Sequence, residues 1–369
     1  MVDFELTEEQ RMIRETVEGF ARDEIRPAAR PADESGLVPP ELIEKIWQLG
    51  LVTSAIPEQF GGNGDQRSAL TGAVAAEELG YGDVSVALHA LAPRLFAYPI
   101  LEMGIDAQRD RYLKQFASDR FVAATAALIE PRFDFDLTEL STHARRDGSA
   151  YILNGTKCFV PLADRAESLL VYAATDPAAG FKGVDAFIVA RDAPGLSIGE
   201  REKNMGFKPL ATCSISLKDV RLDGAARLGG NGGINFSRLM SEARVAISAL
   251  GIGMARAAFE YARDYAKERR AFGVPIGTKQ AVAFMLADMA IEIDAARLLV
   301  WEAAWRLDRG EDALKESYLA KNYAAASVLK VADNAVQVLG GHGYIREHPV
   351  EMWLRNARGL AALDGIATV

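Results

Sequence analysis

The sequence predicts an α+β protein in three successive parts: a helical first third, a compact β domain and a helical bundle. Three observations carry that reading. Apolar residues recur at helical spacing through the first third, short β-branched segments separated by turn pairs follow, and long helical periods then return. The boundaries fall at 1–120, 121–228 and 229–369.

The first third begins with "LTEEQRMIRETVEGFARDEI", where Thr7 and Gln10 form a capping box and Ile13, Val17, Phe20 and Ile25 recur at helical steps. "PPELIEKIWQLG" opens on prolines and closes on glycine, the expected punctuation of a helix. "AIPEQFGGNG" reads as a glycine-rich loop, and the Ala-rich "RSALTGAVAAEELG" and "VSVALHALAPRLFAYPILEMG" resume the helical pattern. From Phe121 the texture changes to "FVAATAAL", "SAYILNGTKCFV", "SLLVYAA", "DAFIVAR" and "CSISLKDVRL", punctuated by Asn-Gly, Asp-Gly and Pro-Gly. Asn154-Gly155 is the best hairpin candidate among these pairs. From about Ile234 helix persists: Val245, Ala249, Ile252, Ala255 and Phe259 share one face, and two further long amphipathic segments follow. Long helices with short connections pack best as an antiparallel bundle, here of four helices.

Composition narrows the function. At 369 residues the chain can build a large core without disulfides or metals, and its 49% hydrophobic and 25% charged residues are ordinary for a globular protein. A net charge of −9 with no basic stripe argues against nucleic acid as a partner. Cys158 and Cys213 stand far apart without a partner motif, which fits a reducing compartment. The four histidines show no metal-ligand spacing, so no metal site is expected. The N-terminus is charged from Asp3 onward, unlike a secretory signal. The longest apolar stretch, Val245 to Phe259, carries Arg256 and reads as too short for a membrane span. The expected location is cytoplasmic.

In this order, "AIPEQFGGNG", "LNGTK", "GLSIGEREKNMGFK", "RVAISALGIGMARAAFEYARDYAKERRAFG", "QVLGGHGYIREHPVEMWLRNAR" and the terminal "LDG" resemble the acyl-CoA dehydrogenase family, over essentially the whole chain. The resemblance implies an N-terminal all-α domain, a middle β-barrel domain and a C-terminal four-helix bundle. It also implies FAD as cofactor, an acyl-CoA thioester as substrate and an electron-transfer flavoprotein as electron acceptor. In such enzymes a carboxylate removes the α-proton while the β-hydrogen leaves as hydride to the flavin. An α-proton of a thioester is so weakly acidic that it needs a positioned base and donors for the developing enolate oxygen.

By resemblance, Asp364 aligns with the family's glutamate and Ile366 with its threonine, whereas the alternative glutamate position is Ala243. Glu242 is one residue away, which turns its side chain by about 100° on a helix. Aspartate places its oxygens roughly 1.5 Å short of where glutamate would. Asp-Gly is equally a favoured turn pair that needs no chemistry, and both readings of Asp364 stand. Arg244 matches an arginine that contacts acyl-CoA in relatives.

FAD in the resembled enzymes spans two subunits. The phosphate half is kept: Arg269, Phe272 and Gln280 in "ERRAFGVPIGTKQ", with Gln337, Gly340 and Gly341 in "QVLGGHG". Arginine pairs with phosphate oxygens, and glycines let backbone amides approach them. The ring half departs from the family pattern. "IEPRFDFD" puts Ile129, Arg132, Phe133, Asp134 and Phe135 where hydroxyl and small residues are usual, and Phe159-Val160-Pro161 ends in a proline without an N–H. Those changes are expected to fill the chain's own ring pocket. The asymmetry implies a subunit that completes the FAD site of a homologous partner in a hetero-oligomeric tetramer, with an autonomous enzyme using Asp364, or a flavin-free scaffold, as alternatives. Cys158 reads as a buried strand residue and His342 as a loop residue near the neighbour's phosphates.

Overall fold

The computed structural model describes residues 4–369. Helix α1 (Glu8–Phe20) opens with the expected capping box: the Gln10 amide donates to the Thr7 hydroxyl at 3.2 Å, and the Thr7 amide donates to the Gln10 side chain at 3.0 Å. A wider π-type turn at Ala21–Ile25 leads into α2 (Arg26–Ser35), which ends at Gly36 with φ 72°. Then come α3 (Pro40–Trp47), α4 (Ala69–Leu91), α5 (Arg94–Met103) and α6 (Asp106–Tyr112). Within α4 the helical run breaks at Asp83, whose extended backbone lets its carboxylate accept the Ser85 and Val86 amides at 2.9 Å each.

Seven strands form one sheet: β1 (Thr125–Ala127), β2 (His143–Asp147), β3 (Ala150–Pro161), β4 (Ser168–Ala174), β5 (Val184–Ala190), β6 (Leu196–Arg201) and β7 (Thr212–Asp223). Their order is β1-β4-β2-β3-β7-β6, with β5 beside β4. One apolar face builds a core with Leu153, Val160, Phe187 and Ile215, and the other packs toward α3, α5 and the start of the bundle.

Asn154-Gly155 is not a hairpin turn. It lies inside β3 at a register shift against β7, and the β2–β3 hairpin turns at Gly148-Ser149 instead. Gly155 answers a different need: a Cβ there would run into Thr142. Gly148, at φ 64°, supplies the left-handed residue that the turn requires.

The bundle comprises α7 (Phe236–Glu268), α8 (Gln280–Asp308), α9 (Leu314–Leu339) and α11 (Val350–Leu360). A two-residue ladder of β8 (Arg270–Ala271) with β9 (Val274–Pro275) precedes α8, and the short α10 (Gly341–Tyr344) follows α9. By length and composition α7 could cross a membrane, contrary to the sequence expectation, but 78% of its apolar window is buried inside the fold. It packs against α4, α8 and α9. A Cβ on Gly80 would strike the Leu250 carbonyl, and one on Gly253 the backbone of Glu77 and Tyr81, so α4 and α7 touch backbone to backbone. The Asp308 carboxylate at the end of α8 receives the Ser68 hydroxyl at 2.7 Å and the Leu70 amide at 3.1 Å, capping α4 from the bundle.

Candidate active site

A cavity of about 1070 Å³ opens where the sheet domain meets the bundle. The loop after β1 forms one wall through Ile129, Phe135 and Leu137, and β3 adds Cys158 and Phe159. Arg244 of α7, Tyr318 and Lys321 of α9, and Asp364 beyond α11 close the opposite end.

The loop after β1 owes its shape to one carboxylate. Glu130 accepts the backbone amides of Ser141 and Thr142 at 2.7 Å each and the ammonium of Lys157 at 3.0 Å. Lys157 also donates to the Leu128 carbonyl at 2.9 Å, and its side chain has no exposure. Burial pulls its ammonium down to about 8 against the opposing pull of Glu130. Burial acting alone would raise Glu130, but Lys157 and the two amides outweigh it and hold the carboxyl below its usual range. Further along, Arg132 donates to the Glu139 carbonyl at 2.9 Å, the Ser141 hydroxyl at 2.7 Å and Asp134 at 2.9 Å.

The bulky residues of this loop do not close the cavity. Arg132, Phe133 and Phe135 all line a cavity that stays open, with Phe133 fully exposed at its rim and Arg132 bonded to its own loop. The sequence reading misjudged direction here. Side chains on a loop point outward as readily as inward, and their volume says nothing about which they do.

The backbone donors of that wall are nonetheless spent. The Cys158 amide donates to the Ile129 carbonyl at 2.8 Å, and Phe159, at φ 52°, turns its amide onto both oxygens of Glu202 at 3.2 Å. Pro161, buried at the end of β3, has none to offer. The cavity therefore offers room and an apolar wall here rather than free amides at these three strand positions. Cys158 is half-buried in this wall rather than enclosed, and burial pushes its thiol up to about 11.

Asp364 lies in the cavity wall on a turn that Gly365 completes at φ 68°. Its Oδ2 receives the Arg244 Nε at 3.4 Å, whereas its buried Oδ1 has no partner. The Tyr318 ring lies 5.2 Å from the Arg244 guanidinium. Lys321 donates to the Ala361 carbonyl at 2.7 Å, and its ammonium is pulled down by burial against the opposing charge of Asp364. Glu242 is elsewhere: it is buried against Arg67 at 3.1 Å and Arg238 at 3.1 Å, outside the cavity wall. The one-residue offset on α7 turns it away, as helical geometry requires.

The phosphate-side residues gather at a different place. Arg269, Phe272, Gln280, Gln337, Gly340 and Gly341 are all exposed. Tyr265 ties their two segments together, since its carbonyl receives the Arg269 amide at 2.8 Å and its hydroxyl bonds His342 at 2.6 Å. Gly340 holds φ 57°, and a Cβ on either glycine would meet open space, so backbone here is free for close approach by an outside group. This face presents an exposed arginine beside uncovered glycine backbone. It shares no residue with the cavity, and Lys321 and Gln337 are separated by about 24 Å of α9 at 1.5 Å per residue. The cavity and this exposed face thus lie apart on one chain.

Sequence reasoning missed Lys157, Glu202 and Lys321 as site residues. A signal for Lys321 was present: it falls with Ser317, Ala324 and Val328 on the small-residue seam of α9, where an unpaired cation would be costly.

Three family models match consecutive segments: acyl-CoA dehydrogenase N-terminal domain over 7–120, middle domain over 125–220 and C-terminal domain over 230–369. The chain is 37% identical to the probable acyl-CoA dehydrogenase YngJ of Bacillus subtilis, across 100% of this chain and 97% of that protein. A chain in a structure of the electron transferring flavoprotein of Acidaminococcus fermentans superposes with TM-score 0.87 at 32% identity, covering 97% and 94% of the two chains. PigA, in a structure with FAD and proline, superposes with TM-score 0.88 at 29% identity, again covering 97% and 94%.

Proposed function

This chain belongs to the acyl-CoA dehydrogenase family, an enzymatic family whose cofactor is FAD, and from that premise we infer that it takes part in α,β-dehydrogenation of an acyl-CoA thioester with Asp364 as the base. The observation that carries this reading is Asp364 in the wall of a cavity of about 1070 Å³, with Arg244 as the one side chain among the described residues bonded to its carboxylate.

Each residue has a task in that reading. Asp364 removes the proton at Cα of the thioester, and Arg244, donating to its Oδ2, restrains the carboxylate. The wall of Ile129, Phe135 and Phe159 keeps water from the reacting carbons. FAD, when bound, supplies the acceptor for the β-hydrogen as hydride. Arg269, Gln280, Gln337 and the Gly340–Gly341 backbone would hold its diphosphate and adenosine end in a neighbouring chain's site.

Because the two half-sites of one chain lie apart, the working unit we propose contains at least two chains. A homologous partner remains the reading favoured by the spent donors at Cys158, Phe159 and Pro161, which a partner with free strand amides would not share. The open cavity supports the alternative, an assembly of identical copies. Native mass measured together with flavin per chain, alone and with a co-expressed homologue, separates the two. The electron acceptor we propose is an electron-transfer flavoprotein, in keeping with the likeness to a chain from such a structure.

The test is to incubate the flavin-loaded assembly with a panel of acyl-CoA thioesters in deuterated water. The expected result is enoyl-CoA formation with an artificial acceptor and deuterium uptake at Cα. Absence of both across the panel would refute the reading.

A further inference from the structure

We propose that Lys321 is a positioning residue that clamps the turn carrying Asp364 to the bundle, a role that rests on Asp364 acting as the base. The last carbonyls of a helix have no partner within it, and a chain leaving such an end is free to swing unless something ties it. Helix α11 ends at Leu360 and its cap is Ala361. The Lys321 ammonium donates to the carbonyl of that cap residue, Ala361, at 2.7 Å, three residues before Asp364. A cation at a helix C-terminus also meets the negative end of the helix dipole, so position and charge act together.

The anchor is stiff. Lys321 projects from α9, a helix of 26 residues whose Ser317, Ala320, Ala324 and Val328 are buried in the bundle. Lys321 lines a small niche with Ser248, Gly251, Ala324 and Leu360. Arg244 on α7 restrains the Asp364 side chain and Lys321 on α9 restrains its backbone, so the carboxylate is fixed from two helices. The charged and titratable groups that act on Lys321 are Asp364, Arg244 and Tyr318. Placement is what an aspartate needs most here, because it reaches less far than a glutamate. A displacement of about 1 Å in a reacting group can cost on the order of 10²-fold in rate.

The experiment compares Lys321→Met, Lys321→Gln and Lys321→Arg with the parent as flavin-loaded assemblies. With Lys321→Met, kcat is expected to fall at least about tenfold while KM for the acyl-CoA changes less than about twofold, the pattern of a misplaced base. Hydrogen exchange at the amides of 361–366 should accelerate in that variant and nowhere else. Lys321→Arg and Lys321→Gln, which keep a donor, should recover most of kcat. An unchanged kcat in Lys321→Met, or a fall in kcat without faster local exchange, overturns the proposal. Should Lys321→Met not assemble, Lys321→Gln decides: retained kcat supports a positioning role, and lost kcat with parental exchange refutes it. A parent chain inactive on every acyl-CoA would remove the catalytic reading, while the exchange measurement would still decide whether Lys321 holds the turn.

Discussion

Glu130 and Lys157 meet at 3.0 Å with both side chains buried, and between them they shape the loop that walls the cavity. Removing one member of such a pair strands the other charge. Lys157→Met is expected to lower stability by about 3–5 kcal/mol, and the double variant Lys157→Met/Glu130→Gln to recover part of that loss. Urea midpoints of the three proteins check it.

The reach of the base can be tested directly. Asp364→Asn should abolish deuterium uptake at Cα of a bound thioester, with a loss of at least about 10²-fold. Asp364→Glu adds the missing methylene and should raise turnover rather than lower it. Single-turnover kinetics on holoenzyme measures both.

Gly341 offers a substitution that the isolated fold should tolerate. Its added Cβ meets nothing, and its φ lies outside the left-handed region. Gly341→Val should therefore leave the thermal midpoint within about 2 °C of the parent, yet strip flavin from the assembly. Absorbance in the flavin bands per chain gives the result.

His89 predicts an acid-sensitive fold. Burial, then Arg165 and Arg201, pulls its imidazole from the usual 6.5 down to about 3, and its Nδ1 has no partner. The folded state keeps the ring neutral where the unfolded chain protonates it. Stability is therefore full above pH 6.5 and falls as pH drops toward 3, by up to about 1.4 kcal/mol per pH unit. His89→Leu should flatten that slope in denaturation curves taken between pH 7 and pH 4.

Helices were legible because their signals are local. Thr7 and Gln10 meet within one turn, and the apolar steps from Val245 to Phe259 lie along one face of α7. Asn154-Gly155 misled because the same dipeptide serves a turn or a close contact, and only Thr142, far back in the chain, tells them apart. The two half-sites could be named from motifs, yet the fate of the ring pocket could not. Whether Phe133 and Phe135 fill a cavity depends on side-chain direction, and the contacts that shape their loop, Arg132 to the Glu139 carbonyl and Lys157 to Glu130, join residues apart in the chain. Lys321 escaped notice for a similar reason. Its partner is a backbone carbonyl, and carbonyls carry no letter in a sequence.

The backbone contact between α4 and α7 at Gly80 and Gly253 has a bearing on how such a chain could diversify. Those two rods are already at closest approach, so neither can be drawn nearer the other, and separating them would break the core they share. Accommodation of a longer, branched or ring-bearing acyl tail must come from pliable parts of the wall, chiefly the stretch around Phe135 and the first turn of α9. Substrate preference in descendants of this fold would then drift through loops and helix ends while its helical frame stays put.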